Sequence, residues 1–277
     1  MRKHLVLFMI FCTPVLAGWT FLTETRTSDD KGQVTQKTIV KSMVDGTNGK
    51  FIFQESTDSP IAATGNYLLT NDGGQTIYLV DPVNKTYSLF HISQMLKTAG
   101  TMMNMVQGVV KMEFSEPEIT ILEEKKGKAI QGLPTDYRKS VTSYEMKMKV
   151  LGIKRVLDVK TTEESWTTKQ FTDTAFSAWL RKDPAPTGNE ELDRIIRAAT
   201  EQVEGYPLKL IQTNQTTTWN KKKTKVKDKT TTTTVMAVTQ LKQETIEPSQ
   251  FVIPDTYVQS ENQQPNGMSN LKDIFNQ

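Results

Sequence analysis

From His91 to Val110 the apolar residues are Ile92, Met95, Leu96, Ala99, Met102, Met103, Val106, Val109 and Val110, spaced by threes and ones. Lys97, Thr98, Thr101, Asn104 and Gln107 fall between them. That spacing predicts one amphipathic helix over 91–110, with its thioethers on one face. Methionines make a soft, adaptable surface that can either plug an irregular core or receive a variable apolar ligand. Both readings stay open at this point.

The flanking sequence switches to a period of two. Trp19 to Arg26, Val34 to Val44 and Lys50 to Gln54 read as strands separated by the turn clusters Ser28–Gly32 and Asp45–Gly49. Asn66–Thr70, Gln75–Val80 and Thr86–Phe90 follow, with turns at Asn71–Gly74 and Asp81–Lys85. Ile77 and Leu79 alternate with Tyr78 and Val80, so this strand is apolar on both faces and calls for a cover on each side. The 91–110 helix follows at once and is the natural cover. After it come β segments at Ile119–Leu122, Tyr137–Val150 and Ile153–Thr168. In the second of these, Lys147 and Lys149 stand opposite Met146, Met148 and Val150, which makes one wet face and one dry face.

Thr174 to Leu180 predicts a short helix. A second long helix is expected to start from a capping box, Thr187 to Glu190, with Leu192, Ile195, Ile196, Ala199 and Val203 as its stripe and Gly205 as its stop. Tyr206–Trp219 and Lys229–Glu244 read as a hairpin, and Phe251–Pro254 as a last apolar element. Ten or eleven β segments against two main helices give an α+β class: one large, curved antiparallel sheet with its helices on one face.

Composition then narrows the setting. Arg2 and Lys3 precede the short apolar run Leu5–Phe11, and Val15-Leu16-Ala17 suits signal cleavage. Residues 1–17 are therefore expected to be a secretory signal, 18–258 one domain, and 259–277 a polar, flexible tail. The apolar run is shorter than the ~20 residues of a spanning helix, and a soluble exported protein is expected. It would reside in the periplasm or outside the cell. The single cysteine, Cys12, lies within the signal, where Phe11 and Ile10 make a poor lipid-attachment context. The remaining chain offers no thiol chemistry. The formal charge of +3 includes Arg2 and Lys3, leaving about +1, which is too little for a dedicated nucleic-acid binder.

Candidate chemistry is sparse. His91 is the one histidine after the signal, and local hydrogen bonding accounts for it as readily as general-base work. Glu116, Glu118, Glu123 and Glu124, with Glu163 and Glu164, could make a carboxylate pair, although a solvated sheet face explains them better. No phosphate loop, HExxH, CxxC or GxSxG pattern occurs. No cofactor, no metal and no catalysis are expected. Lys221, Lys222, Lys223, Lys225 and Lys227 are the densest charge run, read as a hairpin tip guarding an edge or as a dock for anionic headgroups.

A resemblance accompanies these readings. Asp72-Gly73-Gly74-Gln75-Thr76-Ile77-Tyr78-Leu79-Val80-Asp81-Pro82 with Lys85-Thr86-Tyr87 resembles the DGGKTxYLVDPxxKTY segment of an exported bacterial family of unknown function. Gly132-Leu133-Pro134-Thr135-Asp136-Tyr137-Arg138, Glu164-Ser165-Trp166-Thr167-Thr168, Tyr206-Pro207-Leu208-Lys209 and Phe251-Val252-Ile253-Pro254-Asp255-Thr256-Tyr257 follow in the same order. That family is similar to the LolA-like periplasmic lipoprotein carriers. The resemblance implies an unclosed β half-barrel with helices as a lid over a hydrophobic cavity. Its ligand would be a lipid or a lipoprotein acyl chain. The residues expected to line that cavity are Met95, Leu96, Ala99, Met102, Met103, Val106, Val109, Ile77 and Leu79. The competing expectation is a structural protein of the envelope with a filled core and a protein partner.

Overall fold

The computed structural model describes residues 18–57, 63–106, 110–150, 153–171, 174–176, 184–200 and 205–260. The expected signal at 1–17, the tail beyond 260 and most of the 174–180 helix lie outside these residues. Among the described residues no helix is long and apolar enough to cross a membrane.

Thirteen strands form one sheet that does not close on itself. In chain order β1 is Gly18–Ser28, β2 Val34–Asp45, β3 Asn48–Ser56, β4 Tyr67–Thr70, β5 Thr76–Asp81 and β6 Thr86–His91. Then come helix α1, Ile92–Val106, and strands β7, Val110–Phe114, β8, Glu118–Lys126, β9, Asp136–Val150, and β10, Ile153–Thr168. A 3-10 turn at Lys169–Phe171 leads to helix α2, Glu190–Thr200. The chain ends with β11, Tyr206–Trp219, β12, Val226–Glu244, and the two-residue β13, Val258–Gln259.

The spatial order is β13-β6-β5-β4-β3-β2-β1-β12-β11-β10-β9-β7, with β8 also on β9. Two local meanders, β1 to β6 and β9 to β12, are thus joined where β1 pairs with β12. All pairings are antiparallel except that of β13 with β6. Register shifts at Thr20/Leu22, Ile39/Val40 and Trp166/Thr167 act as bulges, which bend strands and increase twist.

The turns obey their sequence signals. Gly46 takes a positive φ of 54° in the tight β2–β3 turn, where a side chain would be strained. At the β5–β6 turn the Asp81 carboxylate accepts hydrogen bonds from Val83 N and Asn84 N at 3.0 Å. Those bonds, that of the Asn84 backbone first, hold the Asp81 carboxyl below its ordinary range.

Two apolar clusters build the core, one on each face. On the first face Phe21, Val44, Phe51, Leu208 and Val238 pack with Phe171, the last residue of the 3-10 turn, and with Ala175 and Phe176 that follow it. Phe171 is fully buried, and its ring centre lies 5.7 Å from Trp19, 5.6 Å from Phe21 and 5.3 Å from Tyr206. Burial pushes the Tyr206 hydroxyl up to about 12. On the second face Met43, Tyr67, Leu69 and Val80 pack beneath Ile246 and Phe251 from the C-terminal segment.

Candidate functional site

The helix pair is fixed first by polar contacts. The Asn189 side chain caps α2 by accepting from Leu192 N at 2.9 Å. Asp193 in turn accepts from Thr187 N at 2.7 Å. The cap is therefore Asn189 with Asp193, two residues beyond the expected Thr187–Glu190 box. Gly188, at φ +80°, turns the chain so that the asparagine, not the threonine, meets the free amides. Asn189 also donates to Asn104 of α1 at 2.6 Å, and Asn104 donates to Gly188 O at 3.2 Å. Gly100 makes this approach possible: a Cβ there would stand 2.1 Å from Thr187 O.

That contact sets the rotation of α1. Gly100 is buried, Leu96 and Ala99 are half-buried, and Met95 is 44% exposed. The helix turns its glycine, not its Met95 edge, toward its neighbour. Ile77 and Leu79 are buried at 8% and 6%. They face Phe90 and Ser88 across β6. The side chains of Met102, Met103 and Val106, and all of Val109, lie outside the described residues. His91 ends β6, where its Nδ1 is 3.2 Å from the Thr76 hydroxyl.

The long half of the sheet holds what the motif reading did not single out. In register on the Phe21 face are Met112 and Phe114 of β7, Tyr144, Met146 and Met148 of β9, and Leu157 and Val159 of β10. Every one is half-buried, and none belongs to either core cluster. The rings of Phe114 and Tyr144 are 6.2 Å apart. A polar band separates this patch from the aromatic core: Glu163, Gln212, Thr234 and Thr27 stand side by side across four strands. The alternation Met146-Lys147-Met148 was the available signal, because a period of two sorts one face from the other.

Helix α2 is tied to the same end of the sheet. Arg194 donates to Phe114 O at 2.7 Å and to Glu191 at 2.5 Å. Its apolar stripe, Leu192, Ile195 and Ile196, is also only half-buried.

The carboxylates separate by face. Glu164 pairs with Lys139 at 2.9 Å and accepts from the Tyr137 hydroxyl at 3.1 Å, and the lysine chiefly holds its carboxyl low. Glu163 points the other way into the polar band, where burial pushes its carboxyl up against the opposing influence of Gln212 and Arg138. Adjacent strand residues cannot share a face, so they form no acid pair. Glu116 and Glu118 are exposed. Because burial penalises the ionised form of Glu163, its ionisation costs stability as pH rises through and above the ordinary value of 4.5. Glu163→Gln should therefore be more stable than the parent at pH 7, with the advantage gone below about pH 4. Denaturant midpoints at the two pH values check this, and an equal advantage at both would refute it.

The lysine run is divided by the fold. Lys223 bonds Glu145 at 2.9 Å and Asp158 at 2.8 Å, so it is an internal tie and not a free docking group. Asp158 also accepts from Trp219 Nε1 at 2.8 Å, anchoring the hairpin tip. Lys221, Lys222, Lys225 and Lys227 are exposed.

The fold and this face define a class: an open, antiparallel-rich sheet with two helices and a half-covered apolar patch. No protein-family model matches the chain, and no curated protein matches it. Among solved structures it is similar to PNGF-II, at 12% identity and a TM-score of 0.36, over 92% of this chain and 32% of that one. The chain thus spans about a third of that protein's length. It is also similar to a DUF1329 family protein from Desulfovibrio piger ATCC 29098, at 10% identity and a TM-score of 0.28, over 86% of this chain and 90% of that one.

Proposed function

We propose that this chain is a non-enzymatic binding protein of the cell envelope, exported to the periplasm, that holds a lipid acyl chain between α2 and the Phe21 face of β7, β9 and β10. One observation carries the reading. The apolar residues of α2 and of that sheet patch are only partly buried, although fully buried clusters exist elsewhere in the same domain. A contiguous apolar surface that the fold covers incompletely is where a ligand or partner would complete the burial. An acyl chain suits it, because Met112, Met146 and Met148 adapt to a flexible apolar guest. The motif resemblance to LolA-like carriers, with helices as a lid, supports the same reading. The site moves, however, from the α1 face to the α2 side of the sheet.

Native mass spectrometry of protein purified from its own periplasm should show an added mass in the fatty-acid or phospholipid range. Delipidated protein should bind a fluorescent fatty acid, and Met146→Lys should weaken that binding about tenfold or more, since the guest would then bury an unpaired charge. Delipidated protein that ignores the fatty acid, together with no copurified mass, would count decisively against the proposal.

A further inference from the structure

At the far end of β9 and β10 the lysines are arranged in a way that the fold does not need. Lys149 stands directly opposite Lys154, and Lys111 of β7 occupies the next register position beside Lys149. Two like charges, Lys149 and Lys154, thus face each other across two strands. Direct cross-strand pairing of like charges is destabilising, and a stable sheet would gain by replacing either of them. The neighbouring row is neutralised in the ordinary way, since Glu113 stands opposite Lys147 and Lys147 lies 3.3 Å from Glu145. Among the described residues no carboxylate lies within ion-pair distance of Lys149, Lys154, Arg155 or Lys221.

These cations surround an open cleft of about 410 Å³, lined by Lys147, Lys149, Lys154, Arg155 and Lys221 with Glu113 as the one acid, and with Met148 and Val156 as apolar wall. The positive surface continues onto the exposed Lys222 of the adjoining hairpin tip. From this we infer that the β9–β10 end of the sheet docks on an anionic membrane surface, with lipid phosphate groups entering the lysine cleft. Two hairpin tips at one end, carrying more cations than one small anion can neutralise, fit a sheet of headgroups better than a single free phosphate. Apolar Met148 and Val156 beside the charges suit the boundary between headgroup and acyl chain. The inference does not rest on the acyl-chain reading, because docking requires no bound cargo.

Vesicle co-sedimentation of the full chain tests it. Equimolar phosphatidylglycerol and phosphatidylcholine vesicles should pull the protein down at low salt and release it near about 0.5 M NaCl, where the screening length falls to a few ångströms. Phosphatidylcholine alone should not bind it. Lys154→Glu should lower affinity more than tenfold, because each cation near such a surface is worth roughly fivefold and this change reverses one. The same variant creates an opposite-charge pair with Lys149, so it should melt no lower than the parent, which separates lost docking from lost folding. The charge-matched single change Lys128→Glu, in an exposed turn at the other end of β9, should leave vesicle binding within twofold. Equal binding to neutral vesicles, or undiminished binding by Lys154→Glu, would overturn the proposal. So would pyrophosphate that perturbs the Lys149 and Lys154 signals while vesicles are ignored, since the source would then be a free anion.

Discussion

Phe171→Ala should be the most damaging single truncation among the described core residues. Phe171 has no exposed surface, and it sits among Trp19, Phe21, Phe176 and Tyr206 at the point where the chain folds back over β1 and β11. The ring cannot be replaced by local collapse, because three of its neighbours, Trp19, Phe21 and Tyr206, are rings held on strands of one sheet. Lost transfer energy and the residual cavity together should cost about 3–5 kcal/mol. For a chain of this size that lowers Tm by roughly 6–20 °C. Phe171→Leu, which keeps most of the volume, should cost less than half as much. A truncation that changes Tm by under about 2 °C would mean that the aromatic cluster is not the core of this sheet.

The second large effect runs against ordinary helix propensity. Gly→Ala in a helix interior normally stabilises by nearly ~1 kcal/mol. At Gly100 it should destabilise, because the new methyl group would meet Thr187 O at 2.1 Å and Thr187 C at 2.7 Å. Both are backbone atoms on the buried loop that caps α2. They can yield only if the two helices separate, which should cost about 1–3 kcal/mol net. Amide exchange should accelerate together in α1 and the first turn of α2, while β1 and β12 stay protected. Thr101→Ala, on the exposed side of the same helix, is the control and should change little. A raised Tm for Gly100→Ala would show that α1 and α2 do not touch as described.

The chain reveals its structure unevenly. Local elements were readable because their causes are local. Alternation fixed β9 and β10 nearly to the residue, and turn chemistry at Asp45–Asn48, Asn71–Gly74 and Asp81–Lys85 fixed the meander from β2 to β6. The amphipathic spacing predicts helices over 91–110 and from the Thr187–Glu190 box to Gly205; the structure has α1 at Ile92–Val106 and α2 at Glu190–Thr200, with Val110 already in β7. The cap of α2 was misplaced by two residues, since Thr187, Gly188 and Asn189 all carry capping character and only the backbone turn at Gly188 chooses among them.

The candidate site was less readable than the fold. An apolar stripe on α1 gives the helix a face but not a rotation, and the rotation follows from Gly100 meeting a loop 87 residues later. That single contact leaves Met95 outside. The same limit applies to the lysines. Lys223 looks like its neighbours in the sequence, yet it alone among the five reaches the Glu145 and Asp158 carboxylates. Conversely, Lys149 and Lys154 are unremarkable as separate residues and become a like-charged row only when β9 pairs with β10.

By itself the sequence determined the α+β class, the succession of hairpins, the position of both helices and the two-faced character of the long strands. Each of these depends on periodicity or turn chemistry within a few residues. Only the tertiary structure decided that β1 lies in the middle of the sheet against β12, with Gly18 opposite Glu244. It also decided that Phe171 closes the core and that Arg194 of α2 meets β7 at Phe114 O. Those outcomes depend on which surfaces meet across long stretches of chain, and no local pattern encodes a meeting of that kind.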